Sequence, residues 1–231
     1  MTLLIDRLIN ICKWPIALVA IFALPSIFQV NAHAFSQSFS NGGWLFWVGT
    51  IGYIILWRWF FSGRMWGSSI PTLIHECIHA LFALLTLHRV VDLKVRWNSG
   101  GHVRYIGGEG NWLITISPYF FPLSLVIAFV ISPFLQIDDG LRLLLLGLLF
   151  GFEVVCTWRE MHPGQTDLQK VGFVFAFAFL PSALLFSYGA VLSYALGEFS
   201  LLEQYLGECW DLNWTRLSLL MSSIPTDSIT F

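Results

Sequence analysis

His75, Glu76 and His79 lie within five residues of one another in the stretch PTLIHECIHA, and the chain on either side is almost wholly apolar. Four residues apart on a helix, the two imidazoles project from one face, about one turn from each other. The pattern is H-E-x-x-H, in which two histidines bind zinc and the glutamate acts as general base on a water molecule. A plainer reading also exists: two buried histidines bonded to neighbours, beside a protonated or paired Glu76. Three ionisable groups at metal-ligand spacing favour a shared reason, because each is costly to leave unpaired within a membrane.

A catalytic zinc takes three protein ligands and keeps a fourth position open. The motif supplies two, and Asp167, His162, Glu160, Glu153, His102 and Glu109 are the candidates for the third. If the motif helix ends at the segment that follows it, the next two spans bring the chain back to the same side. The loop WREMHPGQTDLQK then emerges beside that segment, and Asp167 begins the next span. A His₂Asp set suits a hydrolytic zinc. The plainer role for Asp167 is a first-turn carboxylate facing the helix dipole, and His162 and Glu153 stay open as alternatives.

The elements that position these groups are read from composition. Of 231 residues, 56% are hydrophobic and 11% charged, with 21 Phe and 11 Trp, and mean hydropathy is +0.71. A soluble domain carries about 25% charged residues, so an integral, multi-pass membrane protein is expected. The formal net charge of −2 gives no basic surface for nucleic acid, and that class is set aside. Cys12, Cys77, Cys156 and Cys209 stand singly and read as small apolar fillers. A signal peptide is one reading of the N-terminus; a retained first span is favoured.

Apolar runs of about 20 residues mark helices able to cross a bilayer. The expected fold is all-α and polytopic, with about six spans near 14–31, 44–61, 69–87, 111–135, 141–160 and 168–197. The twelve Lys and Arg divide evenly between the two sides, so charge does not set the orientation. Between the third and fourth spans, over residues 88–110, Val91, Leu93, Val95 and Trp97 alternate with polar residues. Asn98 to Gly101 then supply a turn, and Val103 and Tyr105 resume the alternation. That is a β-hairpin pattern, expected at the membrane face or dipping into it. Residues 1–197 read as one membrane domain with its core at 69–197, and 198–231 as an interfacial or docking tail. Gly147 and Gly151 form a small-xxx-small packing pattern, and Trp44, Trp47, Trp57 and Trp59 read as interfacial anchors. Glu153, deep in the fifth span, is a candidate partner for a zinc-bound histidine, and a plain interhelical hydrogen bond explains it equally well.

HECIHALFALLTLHRVVDLKV, then GGHVRYIGG, SPYFFPL and QTDLQKVG resemble the site-2 protease family of intramembrane zinc metallopeptidases, in particular its branch without an added PDZ domain. The likeness covers about positions 69 to 185. It implies one zinc ion per chain held by His75, His79 and Asp167, with Glu76 as the catalytic residue. It also implies a membrane-associated hairpin that presents substrate as an extended strand, here through Val91, Leu93, Val95, Val103 and Tyr105. Around the aspartate the family pattern N-P-x-x-x-x-D-G is replaced by His162-Pro163-Gly164-Gln165-Thr166-Asp167-Leu168.

The function expected is zinc-dependent hydrolysis of peptide bonds in or near transmembrane segments. The partners expected are a membrane protein substrate and the lipid bilayer, with a homo-oligomer compatible. The alternative reading is a non-hydrolytic metal-binding scaffold or transporter subunit. His102 and Arg104 could steer substrate, although exposed polar strand positions are the plainer explanation.

Overall fold

The computed structural model describes residues 2–40, 42–61, 69–96, 100–108 and 110–223. The helices are α1 (Thr2–Ser40), α2 (Trp44–Leu56), α3 (Ser69–Leu85), α4 (Trp112–Ile116), α5 (Leu123–Ile131), α6 (Asp139–Glu160), α7 (Thr166–Val171) and α8 (Phe173–Ser222). Strands β1 (Arg89–Arg96) and β2 (Gly100–Ile106) lie between α3 and α4.

Two helix pairs frame the molecule. α1 runs along α8, packing Ala17 against Phe175 and Ala176, while the Ser182 hydroxyl donates to the Ala20 carbonyl. α2 crosses α6 at Gly49, Gly147 and Gly151, where a Cβ would meet the opposing backbone. Thr50 Oγ1 there lies 2.9 Å from the Phe46 carbonyl oxygen and 3.1 Å from that of Gly147 across the crossing. The Gly147–Gly151 spacing is thus a close-packing device, in which missing side chains let backbones approach.

Between the pairs sit α3, the hairpin, and the segment from Trp112 to Phe134, which bends by 73° near Tyr119. The bend frees backbone groups that must be satisfied. Glu153 of α6 does part of this: its Oε1 accepts from the Ser124 backbone N–H at 2.9 Å and from the Ser124 hydroxyl at 2.5 Å. The hairpin is antiparallel, with Leu93 opposite Val103 and Lys94 opposite His102, and a bulge between Val90 and Asp92. Its tip, 97–99, lies outside the described residues.

Among the described residues, three helices are long and apolar enough to cross a membrane, or four if the bent pair counts as one span. Length and composition do not confirm the expected count of six. α2 has 13 residues before the chain winds into the wider turn Trp57–Phe61, and α3 has 17, against the roughly 20 a crossing helix needs. α8 continues past the expected end of the last span: its helical geometry breaks at Gly197 and Glu198, where Glu198 has φ 53°, and resumes to Ser222. That last stretch packs Tyr205 and Cys209 on Ile27 and Val30 of α1. Residues 224–231 lie outside the description.

Candidate metal centre

α3 buries the face that carries the motif. His75, Glu76 and His79 are 9%, 8% and 7% exposed, and helical spacing brings the two rings edge to face, with their Nε2 atoms 3.1 Å apart. Asp167 arrives in the first turn of α7, with its Oδ2 3.4 Å from His75 Nε2 and 3.3 Å from His79 Nε2. Ligands at tetrahedral angles around zinc, each about 2.0–2.1 Å from it, stand about 3.3 Å apart. The donor set therefore fits one such ion by spacing and by chemistry, and these three residues are the group of metal-binding type found among the described residues.

The other ring nitrogens are held. His79 Nδ1 lies 2.7 Å from the Ile114 carbonyl oxygen. A carbonyl only accepts, so Nδ1 carries the hydrogen and Nε2 offers its lone pair. His75 Nδ1 lies 2.5 Å from Glu160 Oε2, an arrangement that fixes the ring and raises its basicity as a ligand. Tyr119 sets its ring edge-on to His75, with centroids 5.6 Å apart; its buried hydroxyl has no hydrogen-bond partner among the described residues. Burial works against the charged form of Asp167, yet its closeness to the His75 and His79 rings outweighs this and holds the carboxyl well below the usual carboxylate range.

Gly101 of β2 packs so closely on Glu76 that a Cβ there would lie 2.8 Å from Glu76 Cγ and 2.9 Å from Thr72 Cγ2. β2 thus lies over the motif. A cavity of about 630 Å³ opens beside it, walled by Glu76, His79, Asp167, Val103, Tyr105 and Lys13, among others. A water molecule reaching this cavity meets a carboxylate able to take its proton and, at the Nε2 and Oδ2 cluster, the place for a Lewis acid.

The structure brings Asp167 to the two imidazoles and takes the alternatives elsewhere. Glu160 binds the far nitrogen of His75. Glu153 caps α5 through Ser124, and the exposed His162 accepts from Gly164 N at 3.2 Å within its own loop. His102 lines the cavity, at a distance from the imidazole pair that leaves it outside the metal-binding group. Glu109 lies outside the described residues. Of the five hairpin positions, Val103 and Tyr105 line the cavity. Val91, Leu93 and Val95 do not, because they belong to β1, on the far side of β2's ladder, where Val91 is 50% and Leu93 37% exposed. Sequence reasoning missed the Ile114 carbonyl, since backbone groups leave no mark on residue type. It also missed Lys13, whose position just before an apolar run was the available signal.

The model of the Peptidase M50B-like family matches residues 43–219 of the chain. Neither the curated proteins nor the solved structures give a match.

Proposed function

This chain belongs to the Peptidase M50B-like family of metallopeptidases, and on that premise we propose that it is a multi-pass, zinc-dependent intramembrane endopeptidase. It hydrolyses peptide bonds in or near transmembrane segments of other membrane proteins. The observation that carries the reading is the meeting of His75 Nε2, His79 Nε2 and Asp167 Oδ2 within 3.4 Å of one another.

His75, His79 and Asp167 would hold the ion, whose chemistry is to polarise the scissile carbonyl and make water a stronger nucleophile near neutral pH. Glu76 accepts the proton of the attacking water at its carboxylate and delivers it to the departing amine nitrogen. Glu160 and the Ile114 carbonyl keep the imidazoles oriented. A substrate helix hides its carbonyls in its own hydrogen bonds and must unwind first. The edge of β2 at Val103 and Tyr105 offers replacement backbone partners, the logic of strand addition.

The test is purification with zinc quantified, alongside E76Q and D167N, against a membrane-embedded substrate. One zinc per chain is expected in the parent and in E76Q as purified, less than one in D167N because its affinity is lowered, and loss of cleavage in both variants. A protein without zinc ends the proposal. Full biological activity in E76Q turns it into the scaffold reading, in which a base at position 76 has no use.

A further inference from the structure

One end of the cavity carries charge that the hydrolytic step does not use. Lys13 reaches it from α1 and Lys170 from α7. Lys13 Nζ donates to the Val171 carbonyl oxygen at 2.7 Å and lies 5.0 Å from the centre of the Phe175 ring, which pins the ammonium at the cavity wall. That bond engages one of its three N–H donors. Lys170 Nζ lies 3.5 Å from Asp167 Oδ1, with its side chain 70% exposed. Among the described residues, the only carboxylates lining the cavity are those of Glu76 and Asp167. A divalent ion held by Asp167 and the histidines balances those two carboxylates by itself. Lys13 and Lys170 then stand as positive charge in excess, in a partly enclosed space where screening is weaker than on an open surface. Capping of the α7 carbonyl accounts for one bond of Lys13 and the ion pair with Asp167 for one of Lys170; each ammonium has three N–H donors, so both keep donors for a ligand in the cavity.

We propose that this end of the cavity is an anionic subsite, which takes an Asp or Glu side chain of the substrate flanking the scissile bond at the membrane boundary. The depth follows from the same residues. Lys13 stands just before the uncharged run 14–57 in which α1 continues, and Lys170 stands just before α8 begins at Phe173, so each immediately precedes a long uncharged stretch of a helix long enough to cross a bilayer. The subsite rests on the endopeptidase reading and narrows it to substrates with acidic residues next to a transmembrane segment.

The experiment uses the zinc-loaded full chain in vesicles with single-span test proteins, whose cut sites are mapped by mass spectrometry. Asp, Asn or Lys is then placed at each position flanking the cut. At one flanking position, Asp is expected to be cut on the order of tenfold faster than Asn, and Lys slowest. The double variant K13E/K170E, first shown to retain zinc, is expected to invert that order. Where charge reversal strips zinc, K13Q and K170Q replace it and are expected to flatten the order. Cleavage that is indifferent to charge, or an order unchanged in these variants, overturns the subsite and leaves the endopeptidase standing. No cleavage of any test protein by the fully zinc-loaded chain overturns the endopeptidase reading and the subsite together.

Discussion

Val103 on β2 and Glu76 on α3 share the wall of one cavity, so the edge of the hairpin lies beside the proposed base. Gly101, two residues earlier, makes this approach possible, because any side chain there would press on Glu76 and Thr72. G101A is therefore expected to lift the strand from Glu76 and lower cleavage roughly a hundredfold, the scale of an ångström-sized misplacement at a catalytic group. Zinc content stays at the parent level, since His75, His79 and Asp167 are untouched. Parallel zinc analysis and single-turnover rates check this, and parent-like cleavage by G101A would show that the contact is incidental.

Glu160 governs metal affinity from behind His75. Its carboxylate, 2.5 Å from His75 Nδ1, is expected to be worth about 10–100-fold in zinc affinity. Competition with a chelator of known affinity reads this out for E160A, with E160Q as the milder substitution that keeps a hydrogen-bond acceptor. An unchanged affinity in E160A would remove Glu160 from the site.

Zinc binding should strengthen as pH rises. Metal and protons compete for the imidazole Nε2 atoms, whereas the Asp167 carboxyl is already held below the usual carboxylate range and stays ionised through mild acid. Affinity is thus lost on acidification as protons displace the metal from the imidazoles. In D167N the slope with pH persists while affinity is lower throughout. Titration calorimetry at several pH values tests both; an affinity independent of pH would argue against histidine ligation.

The α2–α6 crossing is a structural feature apart from the chemistry. A side chain at Gly147 would run into the Phe46 backbone, so G147L is expected to cost about 1–3 kcal/mol and to lower the thermal midpoint in detergent by several degrees. Residual folded protein should still bind zinc with parent affinity, because the centre draws on α3 and α7.

The site was legible because its chemistry is written in side chains at fixed spacing. His75 and His79 need only a helix to share a face, and the return of Asp167 followed from the direction of the intervening helices. The hairpin was legible from its alternation of apolar and polar residues. Which strand would face the cavity was not, because both strands alternate alike and only packing on α3 selects β2. The spans were legible in part. Hydropathy marks apolar runs, yet it cannot distinguish a full crossing from the 17-residue α3, from a run bent by 73° near Tyr119, or from a helix that breaks at Gly197 and resumes. Glu153 shows the same limit: an acid deep in an apolar run signals a polar partner, but the partner turned out to be the start of α5 at Ser124 rather than a metal ligand.

The most direct test of the metal centre is X-ray absorption at the zinc edge on the purified protein. Two imidazole nitrogens and one carboxylate oxygen at about 2.0–2.1 Å are predicted, with the carboxylate contribution lost in D167N. A sulfur ligand, a third imidazole, or a spectrum that D167N leaves unchanged would contradict it.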